Sequence, residues 1–396
     1  MPPWCRPTVW ILAATLTAAA PARAAQTSRP VGEPGGRLRL AVAGLVHGHI
    51  YGFLYAACGR EEIELVGVAE SSEELRRRYG QRHQLPASIL FDDLETMLDA
   101  ARPEAVAAFT STFDHLAVVR ACARRGIHVM VEKPLAVSLE HAREMEQAAT
   151  RGGIHLLTNF ETTWYPTTRR AFELAVEQRR LGTLRRIEVH DGHQGPAEIG
   201  MPREFLEWLV DPRLNGAGAM YDFGCYGANL ATWLMGGARP QRVTAVAQRL
   251  KSDPVYARVD DEATIILEYP QVQAVVQASW NWPYSRKDMA ICGDLGACTT
   301  LDAERYRLRM AGQEEAEERA PRLDPPADDA LSYLRAVVRG QAAPDGPSSL
   351  AVNMVVSEIL DAARRSAETG RTVHLEPGSG CPERPAALES GPQILR

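Results

Sequence analysis

The stretch that decides the fold is LRLAVAGLVHGHI, residues 38–50. Its first six residues, Leu38 to Ala43, form a strand-like run, and Gly44 follows at once, ahead of a segment with helical character. A strand that leads through a glycine turn into a helix presents backbone N–H groups at the helix N-terminus, where the diphosphate of a dinucleotide binds. The turn departs from G-x-G-x-x-G, since Val46 and His49 occupy the second and third glycine positions. We expect the cofactor to be bound here by Gly44, Val46, His47, Gly48 and His49.

Strand-like and helical segments alternate through the first part of the chain. Further apolar runs lie at residues 63–70, 105–110, 128–131 and 154–158. This alternation predicts an α/β architecture, with a doubly wound parallel sheet in a Rossmann domain over residues 37–157.

The pattern changes after residue 158. Helical segments (166–178, 218–235 and 348–369) are mixed with alternating strands, at 184–190, 242–249, 263–269, 272–280 and 288–292. We therefore predict a second, α+β domain over residues 158–375, with an open and mostly antiparallel sheet.

The two ends of the chain have a different composition. Arg6, the apolar run Thr8 to Ala20 and the small residues up to Ala25 have the order of a secretory signal. We expect a signal peptide at residues 1–24, a linker at 25–36 and a disordered tail at 376–396, which predicts a periplasmic or secreted protein. Later apolar runs are too short to cross a bilayer, so no membrane contact is expected of the mature form.

Composition excludes some classes of function. The chain has 396 residues, a formal net charge of −6 and no basic cluster, which argues against a nucleic-acid partner. Its cysteines lack the C-x-x-C spacing of metal sites, and no metal is expected.

Two charged positions follow predicted strands. Glu70 ends the second strand, where a carboxylate accepts the ribose hydroxyls of NAD and repels a 2′-phosphate. The cofactor is therefore expected to be NAD, although Ser71, Ser72 and the arginines at 76–78 leave NADP as an alternative. Glu132-Lys133-Pro134 follows the strand at 128–131, and ligands of an open parallel sheet bind beyond such carboxyl ends.

A glycine-rich segment, GAGAMYDFGCY at residues 216–226, holds the next candidates. Asp222 and Tyr226 are four residues apart, so one helix would place both on the same face.

These motifs, together with TSTFDH at 110–115 and SAETGRTV at 366–373, resemble the Gfo/Idh/MocA oxidoreductases over roughly residues 37–375. The resemblance implies NAD or NADP, a sugar, inositol or related polyol as the small-molecule substrate, and a homo-oligomer (dimer or tetramer) formed through the sheet. Tyr226 stands where many members have histidine, and the glucose-fructose oxidoreductase-like and dihydrodiol dehydrogenase-like branches have tyrosine. The implied catalytic residues are Lys133, Asp222 and Tyr226. The remaining cofactor-binding candidates are Glu70, Thr110, Ser111, Thr112, His115, Glu132 and Lys133. The substrate-binding candidates are Lys133, Asn159, Trp164, Asp222 and Tyr226.

The expected reaction is hydride transfer from a carbohydrate hydroxyl to a cofactor that stays bound between turnovers. Tyr226 is the candidate base, and the Lys133 ammonium and the positive charge of the nicotinamide are expected to favour its phenolate. Lys133 is the other candidate for proton transfer. Two alternatives remain: an NAD-dependent glycosidase that uses Asp191, His193 and Tyr226, and a non-catalytic sugar- or cofactor-binding protein.

Overall fold

The computed structural model describes residues 36–376. The predicted signal peptide, residues 1–24, lies outside the described residues, as do the predicted linker and tail except for residues 36 and 376.

Fifteen strands in residues 36–376 form two sheets. They are β1 (Leu38–Ala43), β2 (Ile63–Ala69), β3 (Leu90–Phe91), β4 (Ala105–Ala108), β5 (His128–Glu132), β6 (Leu156–Asn159), β7 (Leu184–Gly192), β8 (Arg242–Gln248), β9 (Glu262–Glu268), β10 (Gln273–Ser279), β11 (Arg286–Gly293), β12 (Gly296–Thr300), β13 (Arg305–Met310), β14 (Ala316–Arg319) and β15 (Val373–His374).

Twelve α-helices lie in the same described range. They are α1 (Ile50–Cys58), α2 (Glu73–Arg82), α3 (Leu94–Ala101), α4 (His115–Ala123), α5 (Leu139–Gly152), α6 (Pro166–Phe172), α7 (Arg203–Leu209), α8 (Pro212–Asn215), α9 (Ala219–Asp222), α10 (Gly224–Leu234), α11 (Ala330–Val338) and α12 (Leu350–Thr369).

The first sheet has the strand order β3-β2-β1-β4-β5-β6, and its paired strands are all parallel. This order confirms the predicted Rossmann fold. The first three strands are added toward one edge of the sheet and the last three toward the other, so the strand order switches between β1 and β4. Ala43 and Ala108 are register partners at the carboxyl ends of these two strands. The segments that follow them, at Gly44 and Thr110, therefore border the cleft where such folds bind ligands.

The helices begin where the sequence supplies a cap. Ser72, Ser138 and Ser349 each accept a hydrogen bond from a backbone N–H in the first turn of α2, α5 and α12. Helix α12 ends at Gly370, whose φ of +66° places it in the left-handed region that favours glycine. These helix ends are readable from the sequence because a side-chain oxygen or a missing Cβ decides them.

The second sheet has the order β14-β13-β12-β11-β7-β10-β9-β8-β15. Only β7 and β10 pair in parallel, so the mostly antiparallel sheet predicted from the sequence is confirmed for the described residues. Helices α10 and α12 cover one face, and their buried side chains share a core with those of β7 to β10.

Helix α11 crosses back to the first sheet. Leu331, Leu334 and Val337 lie in the same apolar cluster as Leu38 and Leu40 of β1. The predicted domain limits, 37–157 and 158–375, therefore do not separate the two cores cleanly, since a helix from the second range completes the first core.

Two predicted helices differ from the observed ones. The helix predicted over 218–235 is two helices, α9 and α10, that are separated at Phe223. The helix predicted over 166–178 continues from α6 as a π-helical turn, Glu173–Glu177. Among the helices of residues 36–376, none has the length and apolar character needed to cross a bilayer.

Candidate active site

The turn after β1 is built around Gly44. Its φ is +83°, and a Cβ at this position would lie 2.6 Å from Cγ2 of Thr110. The backbone N–H of His47 donates to the Phe109 carbonyl at 3.0 Å, which ties the turn to the segment after β4. At the N-terminus of α1, His49 provides no side-chain cap. The turn thus has the close approach and the uncapped helix end that a diphosphate site requires.

Glu70 bonds to this turn from the end of β2. Its two carboxylate oxygens accept the backbone N–H groups of Leu45 at 2.8 Å and Ser72 at 2.9 Å. The carboxylate is buried, and these bonds fix it beside the turn. Oε1 also accepts from the Ser71 hydroxyl at 3.5 Å, and Oε2 keeps a further lone pair for the predicted ribose contact.

The segment after β4 holds the other predicted cofactor contacts. Ser111 Oγ donates to Asp114 at 2.6 Å, and the buried His115 ring bonds to the Leu135 carbonyl at 3.1 Å. Burial lowers the pKa of His115 to about 4. Within residues 36–376, no group bonds to the buried Oγ1 of Thr112. Buried polar atoms almost always have a partner, and the cofactor contact predicted for Thr112 stays a prediction.

Lys133 and Asp222 form a buried ion pair. The Lys133 Nζ lies 2.6 Å from Oδ1 of Asp222 and donates to its main-chain carbonyl at 3.2 Å. The Trp280 indole N–H donates to the other carboxylate oxygen at 3.0 Å. Burial opposes both charges, but the pairing prevails: the pKa of Lys133 is raised and that of Asp222 is lowered. Lys133 is therefore a fixed ammonium ion in this structure.

The break at Phe223 positions Asp222. The Asp260 carboxylate accepts the N–H groups of Gly218 and Met220, each at 2.7 Å, and so holds the start of α9. Gly218 packs so closely on the Asp260 carbonyl that a Cβ would overlap it. Asp222 and Tyr226 do meet at the same lysine, but two short helices bring them there, not the single helix that was predicted.

Tyr226 lies between two lysines. The Nζ atoms of Lys133 and Lys287 are 5.2 Å and 4.6 Å from the ring centroid, and the Phe160 ring contacts it edge-on. Burial nevertheless raises the pKa of Tyr226 well above its usual value, and Asp191 adds to this. The prediction that Tyr226 forms a phenolate also relies on the positive charge of the nicotinamide, and it stays a prediction.

Asp191 is a buried carboxyl group near Tyr226 and its two lysines. It is a register partner of Lys287 across β7 and β11, and its side chain is 1% exposed. In the described residues, Oδ1 of Asp191 has no hydrogen-bond partner. Burial raises its pKa to about 8, against the opposing effect of Lys287 and Lys133. Asp191 is therefore a carboxyl group that changes its charge close to neutral pH.

Asn159 and Trp164 contact Glu132. Asn159 donates to Oε1 of Glu132 at 2.8 Å and accepts from the Trp164 indole at 2.9 Å. These bonds hold the Glu132 carboxylate in one orientation. The substrate contacts predicted for Asn159 and Trp164 remain predictions.

Glu132 also faces two histidines of the Gly44 turn. Its Oε2 lies 3.0 Å from Nδ1 of His49 and 4.0 Å from Nε2 of His47. Burial alone would raise the pKa of Glu132, but the two histidines lower it to about 2. The H-x-H spacing is visible in the sequence, whereas the third member lies 83 residues further on, so sequence reasoning missed the cluster.

Two family models match the chain. One, described as an oxidoreductase family with an NAD-binding Rossmann fold, matches residues 38–160. The other, a GFO/IDH/MocA C-terminal domain, matches residues 170–299. The chain belongs to the Gfo/Idh/MocA oxidoreductases. This confirms the resemblance seen in the sequence, and the first domain of this Gfo/Idh/MocA protein is NAD-binding.

Curated relatives are the trans-1,2-dihydrobenzene-1,2-diol dehydrogenases. The pig (Sus scrofa) enzyme is 26% identical over 53% of this chain and 58% of its own length. The human (Homo sapiens) enzyme is 28% identical over the same shares. The matched region thus spans less than two thirds of these relatives.

Solved structures agree in fold. The aldose-aldose oxidoreductase from Caulobacter crescentus, complexed with glycerol, has a TM-score of 0.75 at 23% identity and covers 86% of this chain and all of its own. An inositol dehydrogenase homolog from Azotobacter vinelandii, complexed with NAD+, has a TM-score of 0.74 at 19% identity, with 86% and 98% covered.

Lys287 is the active-site neighbour that the sequence did not reveal. It occupies a half-buried strand position in β11 and forms an ion pair with Glu161, which also accepts from the Tyr165 hydroxyl at 2.6 Å. A strand of alternating burial with a lysine on its inner side is a weak signal in a single sequence. Only the register with β7 places this lysine over Tyr226.

Proposed function

We propose that this Gfo/Idh/MocA protein oxidises a hydroxyl group of a sugar or polyol by hydride transfer to NAD. The observation that carries the proposal is the buried Lys133–Asp222 pair against Tyr226, beyond the strand ends and beside the Gly44 turn. A buried ammonium and a carboxylate suit the binding of neighbouring hydroxyls, because each of these has both a donor and an acceptor.

The test is a spectrophotometric screen of purified protein with NAD against aldoses, myo-inositol, glycerol and a trans-1,2-diol. Reduced nicotinamide should form with a carbohydrate of this panel and not in the Tyr226→Phe variant. A panel without turnover, in a protein that binds NAD, contradicts the proposed substrate class.

NAD would be held by the Gly44 turn, Glu70 and the segment 110–115, and it supplies the hydride acceptor when bound. The proton of the substrate hydroxyl then has to leave through the protein. We propose that Tyr226 accepts it and, when Asp191 is ionised, passes its own proton to that carboxylate, which has the strongest electrostatic effect on this tyrosine among the nearby charged groups. Lys133 stays protonated and positions the substrate oxygen.

We also propose that the cofactor is retained between turnovers, reduced by one carbohydrate and reoxidised in place by a second, which accepts the hydride. Helix α7 lies on the dinucleotide turn: the Trp208 indole donates to the Val46 carbonyl at 3.3 Å, and the Phe205 ring meets the His47 ring at 5.1 Å between centroids. Glu204 forms an ion pair with Arg78 of α2. Opening the cleft breaks all three contacts, which supports slow release. Retention suits the periplasmic or secreted location proposed from residues 1–24, where NAD supply is poor.

A homo-oligomer through the open sheet is part of this proposal. Val246 and Ile266 lie on the uncovered face, with 59% and 37% of their surfaces exposed. A Val246→Lys, Ile266→Lys double variant should run at a smaller mass in light scattering after gel filtration, and an unchanged mass contradicts this interface.

An NAD-dependent glycosidase is the second candidate, and Asp191 is the observation that favours it. A buried carboxyl group with a pKa of about 8 is protonated at neutral pH and is suited to protonate a leaving group. This activity would release an aglycone from a nitrophenyl glycoside without net formation of reduced nicotinamide, whereas the first candidate would leave the glycoside intact.

A further inference from the structure

The Gly44 turn, which is also the expected dinucleotide site, carries a cluster of side chains with the chemistry of metal ligands. We infer that His47, His49 and Glu132 form a binding site for a divalent cation of the zinc class. One ligand atom from each residue lies within 4.8 Å of the other two. The inference does not depend on the proposed oxidation of a carbohydrate.

The spacing of the donor atoms suits a tetrahedral ion. Ligands about 2.0–2.1 Å from zinc lie roughly 3.3–3.5 Å from one another. The distances from Oε2 of Glu132 are 3.0 Å to Nδ1 of His49 and 4.0 Å to Nε2 of His47, one on either side of this value. The nitrogen atoms of His47 and His49 lie within 4.8 Å of each other, so the three donor atoms have to draw closer around a bound ion.

His47 supplies the second, independent observation. Its side chain is 2% exposed, and among residues 36–376 no group satisfies its Nε2, which points toward Glu132. Buried polar atoms almost always have a partner, so an unsatisfied ring nitrogen facing a carboxylate indicates a missing ligand. A cation between the two satisfies both.

Hydrogen bonds fix the Glu132 carboxylate in one orientation, as is usual for a metal ligand. Its Oε1 accepts the Asn159 amide at 2.8 Å, and Trp164 fixes that amide from the other side at 2.9 Å. Oε2 is left for the two histidines. Outer-layer hydrogen bonds of this kind orient metal ligands and set their affinity.

Two contacts have to change when the ion binds. The hydrogen bond of 3.0 Å between Nδ1 of His49 and Oε2 of Glu132 is lost, because both atoms become ligands, and its proton is released to solvent. Nδ1 of His47 accepts the backbone N–H of His49 at 3.2 Å, which places the proton of the neutral ring on Nε2. Coordination through Nε2 moves that proton to Nδ1 and gives up this bond, which is at the long end of the normal range. Three cation–ligand bonds replace these two hydrogen bonds.

The ligand set selects the ion. Two imidazoles and one carboxylate are the protein ligands of many three-ligand zinc sites, which keep a fourth position for water or another ligand. Imidazole favours zinc, cobalt, nickel and copper over magnesium and calcium. We therefore expect Zn²⁺ to bind and excess Mg²⁺ not to displace it.

The test uses untagged full-length protein, treated with a chelator, gel-filtered and titrated with Co²⁺ as an optical probe without NAD or substrate. One equivalent should bind with the visible absorption of a tetrahedral site, and Zn²⁺ should displace it. His49→Gln, at a half-exposed position, and Glu132→Gln should each weaken binding by at least about tenfold, and Asn159→Ala by about 10–100-fold. His83→Gln, a histidine of the same domain outside the cluster, is the matched control and should bind like the wild type.

A wild-type protein that binds no Co²⁺ overturns the inference, and so does a folded His49→Gln variant with unchanged affinity. Circular dichroism shows which variants are folded, and His49→Gln decides the question if Glu132→Gln is not. Failure of the carbohydrate screen leaves these results unaffected.

Discussion

At the residue scale, burial and charge oppose each other most directly at Asp191. Its pKa is about 8 in the folded protein, against 3.8 for an ordinary aspartate, because burial disfavours the charged form. Between these values the folded state holds a proton that the unfolded chain has lost, so this group makes the protein less stable as pH rises from about 4 to about 8.

We expect Asp191→Asn to remove that pH dependence. Its melting temperature should match the wild type near pH 4 and exceed it near pH 9, where the wild type must keep a buried charge. Thermal denaturation at a series of pH values measures this. Equal melting temperatures at both ends would contradict the raised pKa.

The same substitution should cost activity. If Asp191 receives the substrate proton, the wild-type oxidation rate rises with pH through about 8. The Asp191→Asn variant should show no such rise with pH, and its oxidation rate should be about 10²-fold lower, the scale of general acid–base catalysis. The comparison is His193→Gln, two residues further along the chain. The oxidation rate of this variant should still rise with pH.

Substitutions of Lys133 and of Tyr226 should differ in their effects on stability and on turnover. Lys133→Ala leaves the Asp222 charge buried and unpaired, so we expect a loss of about 3–5 kcal/mol in the free energy of unfolding together with activity. Tyr226→Phe removes only a hydroxyl and should fold normally with about 10²-fold lower turnover. Urea denaturation and initial rates measure the two effects, with Tyr284→Phe as the exposed control. A Tyr226→Phe enzyme of normal rate excludes the relay through Asp191.

At the element scale, α7 offers two glutamates in different settings. Glu204 pairs with Arg78 of α2, whereas Glu207 pairs with Arg203 in its own helix. We expect Glu204→Gln and Trp208→Ala to release NAD faster than the wild type, and Glu207→Gln to behave like it. Fluorescence of reduced nicotinamide after gel filtration measures the retained fraction. If all four proteins retain the same fraction of NAD, α7 does not control cofactor release.

The sequence allowed the elements to be predicted where local chemistry decides them. The Rossmann strands and the end of α12 at Thr369 were predicted correctly because hydrophobic runs and the glycine that follows, Gly370, decide them. The break at Phe223 was missed because it depends on Asp260, a residue distant in the chain that holds the start of α9. The lysine over Tyr226 was missed for the same reason, since strand register is a property of two segments.

At the scale of the whole molecule, α11 unites the two parts of the chain. Leu334 is fully buried in the first core, and Arg339, just after the helix, bonds to Glu104 at 2.6 Å. We expect Leu334→Ala to lower the free energy of unfolding by about 2–5 kcal/mol and to weaken NAD binding on heating, although it lies outside residues 37–157. Urea titration followed by a probe in each part should give coincident transitions. Two separate unfolding transitions would show that α11 does not couple the two parts of the chain.

The return of α11 has a consequence for biosynthesis. The ribosome finishes the six strands of the first sheet long before it reaches residue 330, and at about 5–20 residues per second the delay is roughly 10–40 s. During that time the nascent sheet lacks the helix that covers its apolar surface near Leu38. A chaperone that recognises exposed apolar segments should therefore associate with nascent chains stalled near residue 300 and be released once α11 has emerged.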